Sequence, residues 1–183
     1  SEILLNADIV AVEDSRVTAG LFRHLGAKRP MTPYHDHNAE AVRPGLVARM
    51  GSQAVALVSD AGTPLISDPG YKLVRDARAA GHAVITIPGP CAGIAALTLA
   101  GLPTDRFLFM GFLPSKQQAK ADGIAEVAAI RATLVFYESG PRLAATLDAL
   151  ALGLGDRGAA VAREITKKFE GCITGCLAGL APP

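Results

Sequence analysis

Tryptophan is missing from this 183-residue chain, aromatic residues make up only 5% of it, and neither sign of charge prevails. Eighteen Lys and Arg face seventeen Asp and Glu, a formal net charge of +1. That balance excludes a generally basic nucleic-acid coat, though not a local basic patch. Cysteine is scarce. Cys91, Cys172 and Cys176 form an odd set without CxxC or CxxxH spacing, which argues against a disulfide framework or a zinc site. A reducing compartment is expected. Long apolar runs are also lacking: the longest, residues 92–102, is broken by Gly93 and Gly101 and falls short of the ~18 residues a membrane span needs. With no signal peptide visible, a cytoplasmic location without membrane contact is expected.

Apolar side chains and loop formers are plentiful. Half of the residues are apolar, and 19 Gly and 12 Pro fall at the ends of apolar runs. A chain of this length can bury roughly 70% of the surface its unfolded form exposes, so it needs no staple. Ile3-Leu4-Leu5 reads as a last helical turn stopped at Asn6, with no initiator Met before it. The other end stops without a final strand, and the expectation is a fragment cut at both termini.

Along the chain, strands and helices alternate. Residues 9–12 read as a strand ending in Glu13-Asp14-Ser15-Arg16, 18–25 as a helix, and 30–38 as turn-like. A helix over 39–50 carries a Pro44 flaw. Strands covered on both faces are expected over 54–58 and 83–87, with helices over 71–80 and 92–100. Then come a strand over 107–112, a linker over 113–116, a helix over 117–130, a strand over 133–137, a helix over 141–152 and a strand over 159–162. This alternation predicts an α/β fold with mostly parallel sheets. The shift at the linker divides it into an N-terminal α/β domain, 1–112, and an incomplete C-terminal one, 113–183.

Open parallel sheets bind ligands beyond the carboxyl ends of their strands. That rule selects the loops 13–16, 59–70, 88–92, 137–142 and 163–168. In the second, Asp60 follows a strand directly, Ala61-Gly62-Thr63-Pro64 leaves bare backbone, and Asp68 is placed to cap the next helix. A structural turn would look the same, and neither GxGxxG nor GK[ST] is present. The small residues of Pro88-Gly-Pro-Cys-Ala-Gly-Ile94 suit either a ligand at a helix start or close helix packing. Glu13, Asp14 and Arg16 suit a ribose or base, or an internal ion pair. Tyr34-His35-Asp36-His37-Asn38 reads as a substrate-facing loop more than a metal site, since no third strong ligand is evident.

Taken together, "VAVEDSR", "YHDHN", "ALVSDAGTPLISDPGY", "IPGPCAGIAAL", "GLPTDRFLFMGFLP", "FYESGPRL" and "AREITKKFE" stand in a familiar order. From about residue 6 to 170 the chain resembles the RsmI-type small-subunit rRNA (cytidine-2′-O)-methyltransferases, within the tetrapyrrole methylase-like superfamily. The resemblance implies a two-domain α/β fold, S-adenosylmethionine as cofactor in a cleft between the domains, a homodimer, and 16S rRNA in the decoding region as substrate. It implies cofactor contacts at Asp60, Ala61, Gly62, Thr63, Cys91, Ala92 and Tyr137. The family's "ES-x-x-R" segment falls on Glu138, Ser139 and Arg142. The family's opening strand with its "TPIGNL"-like loop, and a closing strand resembling "GEMVLVV", have no counterpart here.

A ribose 2′-hydroxyl is a poor nucleophile near neutral pH and needs a base or a cation beside it. Glu13, Asp14, Glu164 and Lys167 are the candidates. The reading assigns catalysis to Arg163, Glu164 and Lys167, and substrate binding to Glu13, Asp14, Arg16, His35, His37, Asn38 and Arg142. Lys116, Lys120, Arg131, Arg142, Arg163, Lys167 and Lys168 place RNA binding in the second half. The alternatives are a related methyltransferase acting on a tetrapyrrole or diphthine precursor, a non-catalytic RNA-binding module, and an α/β domain binding another small molecule.

Overall fold

A computed structural model describes residues 2–180. Contacts divide the chain into two compact units, 1–90 and 91–183.

The first unit runs α1 (Glu2–Asn6), β1 (Ile9–Val12), α2 (Ser15–His24), β2 (Met31–Pro33), α3 (Ala39–Arg49), β3 (Val55–Val58) and α4 (Tyr71–Ala79). Its sheet has the order β2-β1-β3, and both pairings are parallel. β1 is the centre. All four of its residues are buried, and successive side chains leave on opposite faces. Ile9 and Ala11 join Tyr34, Leu46 and Leu73 in one core, while Val10 and Val12 join Ala7 and Phe22 in another. On the first face Arg43 of α3 is buried and bonds Asp76 of α4 and Glu40, each at 2.6 Å. The short strand β2 lies within the stretch read as turn-like. It is an edge strand, where Pro33 is tolerated.

Two sequence expectations in this unit are corrected. The segment 83–87 is not a buried strand. It pairs with no strand among the described residues, and Ile85 and Ile87 are 75% and 55% exposed. β-branched composition makes a segment fit a sheet, but a neighbour must take up its backbone groups. Asp68 does not cap α4. The cap position is Gly70, at φ 137, while the Asp68 carboxyl meets Ser59.

The second unit runs α5 (Ala92–Leu99), β4 (Phe107–Phe112), α6 (Gln117–Val127), β5 (Thr133–Tyr137), α7 (Gly140–Leu154), β6 (Gly158–Arg163), β7 (Gly171–Cys176) and α8 (Leu177–Leu180). β4 and β5 pair in parallel, with a register shift between Phe109 and Gly111. β6 and β7 form an antiparallel pair, an addition to the parallel pattern. Leu113, Ile124, Leu147, Leu150 and Leu177 make the core. α5 and β4, which the sequence reading grouped with the N-terminal domain, pack here because β4 ladders with β5 and Gly93 of α5 lies against Val135. No helix among the described residues is long and apolar enough to cross a membrane.

Candidate functional site

The first unit gathers its polar chemistry at the carboxyl ends of β1, β2 and β3, which parallel pairing places on one edge. Glu13-Asp14 and Ser59-Asp60 clasp each other there. The Asp14 amide donates to Asp60 Oδ1 at 3.0 Å, and the Asp60 amide to Glu13 Oε2 at 3.4 Å. Asp14 is also the N-cap of α2, accepting from the Arg16 amide at 2.8 Å and pairing with the Arg16 guanidinium at 2.5 Å. Those bonds from Arg16 hold its carboxyl down at about 2. Asp14 is therefore a firm anion with its lone pairs taken, unsuited to accept a proton.

Glu13 differs. Burial pushes its carboxyl up; the Asp60 amide partly offsets this, and the negative charges of Asp68, Asp60 and Asp36 push the same way as burial. Burial likewise raises Asp68. Glu13 and Asp68 are thus both shifted toward proton uptake.

After β2, the rings of His35 and His37 meet edge to face at 5.9 Å. Asn38 staples the turn, its Oδ1 accepting from the His35 amide and its Nδ2 donating to Pro33 O. Among the described residues no three His, Cys, Asp or Glu side chains are grouped to hold a metal.

The loop after β3 is bent hard. Gly62 takes φ 75, and the non-glycine residues Leu65 and Ser67 take φ 74 and 63. Such left-handed residues cost roughly 1–3 kcal/mol each and persist where the surroundings fix them. Ser59 Oγ lies 3.4 Å from Ala61 O, and Thr63 Oγ1 donates to Pro90 O at 2.8 Å. Asp60, Ala61 and Gly62 stay exposed. The result is an open, fixed stretch of backbone beside an exposed carboxylate.

In the second unit, Cys91 and Ala92 open α5 and Tyr137 ends β5. The Gly93 amide donates to Tyr137 Oη at 3.0 Å, and Cys91 Sγ lies 3.9 Å from the same oxygen. Phe109 and Phe112 hold the Tyr137 ring edge to face at 5.0 and 5.6 Å. A Cβ at Gly93 would come within 3.3 Å of Val135 Cγ1, so close helix packing accounts for that small residue.

Behind Tyr137 lies a polar chain the sequence does not announce. Lys120 Nζ donates to Thr146 Oγ1 at 2.9 Å, and Thr146 Oγ1 donates to Glu138 Oε2 at 2.8 Å. Lys120 and Thr146 are buried, which corrects the placing of Lys120 on an RNA-facing surface. Arg142 lies 3.4 Å from the same Glu138 oxygen and donates to Leu113 O at 2.7 Å.

Of the trio read as catalytic, Arg163 ends β6, paired with Gly171 of β7, and Glu164 and Lys167 follow in the exposed connection between the two strands. Glu164 Oε1 is 3.5 Å from Lys167 Nζ, with both side chains open to solvent. Glu164 and Thr166 take φ 51 and 65.

Comparison with known proteins bears on both units. The family model described as "Tetrapyrrole (Corrin/Porphyrin) Methylases" matches residues 1–181. A "Ribosomal RNA small subunit methyltransferase I" of Mesorhizobium japonicum is 52% identical over 182 residues, covering 98% of this chain and 62% of that protein. Proteins of the same name from Xylella fastidiosa and Escherichia coli O157:H7 are 48% and 47% identical, over 97% and 92% of this chain and 66% and 60% of theirs. The chain thus spans about three-fifths of the length of these relatives. Among solved structures, a diphthine synthase aligns with TM-score 0.73 at 19% identity, covering 98% of this chain and 76% of that one. The methyltransferase CobJ aligns with TM-score 0.65 at 17% identity, covering 97% and 79%.

Proposed function

The chain belongs to the tetrapyrrole methylase family, and from that premise we propose that it is part of an S-adenosylmethionine-dependent methyltransferase that methylates the 2′-oxygen of a cytidine in 16S rRNA. The observation that carries the reading is the identity of 47–52% across 92–98% of this chain with proteins named for small-subunit rRNA methylation. The structures aligned at 17–19% identity support the fold alone. A decoding-region target, a homodimer and a cytoplasmic setting belong to the same proposal.

The residues present fit the cofactor. Bare, fixed backbone at Ala61 and Gly62 with exposed Asp60 suits the hydroxyls and amino group of a nucleoside amino acid. In the second unit, Cys91, Ala92 and the aromatic ring of Tyr137 suit an apolar or planar group. When bound, S-adenosylmethionine supplies an electrophilic methyl group on a sulfonium. The protein's share is alignment and proton removal. In-line alignment of acceptor oxygen and methyl carbon can supply much of the acceleration. Methylation of a 2′-hydroxyl would require its proton to be taken up by the protein or by water. Glu13, raised toward neutrality by its surroundings, is suited to take it. Glu164 with Lys167, and Arg163 beside them, are the second proposed group, Lys167 stabilising developing alkoxide. Asp14, Arg16, His35, His37, Asn38 and Arg142 are proposed to position the substrate.

Calorimetric titration with S-adenosylmethionine, followed by transfer of labelled methyl to small ribosomal subunits and to a precorrin, tests this. Binding with methylation of the subunits alone is expected from the full-length relative of this chain. Transfer to the precorrin instead overturns the acceptor, and absence of binding by a folded full-length protein overturns the cofactor.

A further inference from the structure

A cleft of about 370 Å³ opens in the first unit at the amino end of its sheet, opposite the loops described above. Phe22 and Met31 form its apolar floor, and Arg23, Lys28 and Arg29 stand at its rim. Resting on the reading of an rRNA substrate, we propose that this face anchors the phosphate backbone of RNA, remote from the methylated nucleotide.

Charge supports the assignment first. No Asp or Glu occurs between Asp14 and Asp36, whereas Arg16, Arg23, Lys28 and Arg29 all do. Arg16 is spent on Asp14 at the other end of α2. The remaining three meet no carboxylate among the described residues, and all are exposed. At this end Asp8 is engaged by the Ala54 amide at 2.8 Å, and Glu2 lies exposed on α1. A helix C-terminus favours cations, which accounts for Arg23 and His24 in the last turn of α2. It does not account for Lys28 and Arg29, which lie beyond it.

Shape supports it second. The cations stand around a recess whose floor is fixed. Phe22 is 3% exposed, and the Arg29 guanidinium is held by Leu5 O. Guanidinium and ammonium groups on a fixed frame recognise phosphate oxygens. Direction supports it third. α2 starts at the carboxyl edge and runs back for ten residues, so the cleft lies about 15 Å from Glu13 and Asp60. One RNA strand can therefore reach both ends of the sheet.

The test is RNA binding by the chain across a salt series, with a 16S rRNA fragment as probe. Arg23→Gln with Lys28→Gln removes two cations whose side chains make no hydrogen bond or ion pair among the described residues; Arg29 is left in place for its bond to α1. The expected result is affinity about tenfold weaker and a log–log salt slope shallower by about 1.4, for two lost single-strand phosphate contacts. Circular dichroism and thermal melting are expected to stay unchanged. Lys167→Gln with Lys168→Gln serves as the comparison. An unchanged affinity and slope in the first variant, with loss confined to the second, overturns the proposal. So does absence of RNA binding by the folded parent chain, and so does equal competition by polyglutamate. Each of these leaves cofactor binding and methyl transfer by the full-length protein as a separate result, so failure here is distinct from failure of the methyltransferase reading.

Discussion

Thr146 has one hydroxyl proton, and the structure places two demands on the oxygen that carries it. Lys120 can only donate, so that oxygen accepts from the ammonium and must give its own proton to Glu138. Glu138 is 6% exposed. Burial alone would raise its carboxyl, but the Ser139 amide, the Thr146 hydroxyl and Arg142 together outweigh burial and lower it below 4.5. A carboxylate depressed in the folded state adds stability above its unfolded value and loses it as pH falls through the folded value. Urea unfolding of the parent should therefore show stability falling as pH drops below 4.5, and Glu138→Gln should flatten that limb. Thr146→Val should cost about 2 kcal/mol near neutral pH, because it strands a buried ammonium, and Thr146→Ser should restore most of the loss. None of this is legible in the sequence. Lys120, Glu138 and Thr146 are 8 to 26 positions apart along the chain, and only packing joins them. Asp14 with Arg16 is the opposite case: two residues apart, they were legible as an internal ion pair, one of the two readings the sequence left open, and the structure shows that pair with Asp14 capping α2.

At the scale of elements, close approach rather than propensity sets the limits. Gly153 sits in the last turn of α7, where alanine is ordinarily the better helix former by about 1 kcal/mol. Here a Cβ would fall 2.6 Å from Ile124 Cγ2 of α6. Gly153→Ala should therefore lower the melting temperature rather than raise it, by an overpacking cost of about 1–3 kcal/mol. Long periodic elements were legible: β1, α3, α4, β4 and β5 lie within a residue or two of their expected spans, because apolar period and Gly or Pro stops agree there. β2 and β7 were not. Met31–Pro33 contains a proline and is held by β1, and Gly171–Cys176 by β6, so each strand owes its existence to a neighbour. The failed strand at 83–87 is the same lesson with the sign reversed.

For the whole molecule, family and fold are recorded in long stretches of sequence such as "SDAGTPLISDPG". The positions of the loops 13–16 and 59–70 at one sheet edge followed from parallel order, and the structure places them there. The raised carboxyl of Glu13 did not, since it depends on burial and on Asp36, Asp60 and Asp68 converging on it. One further consequence concerns the extended segment 83–87. Its backbone groups join no ladder among the described residues, and Ile85 and Ile87 face water. Such a segment is a template for self-propagating association. Hydrogen–deuterium exchange should label its amides within seconds while those of β1 stay protected for far longer. Concentrated solutions of this chain should turn turbid and bind thioflavin, and Ile85→Lys should keep them clear by charging the sticky edge.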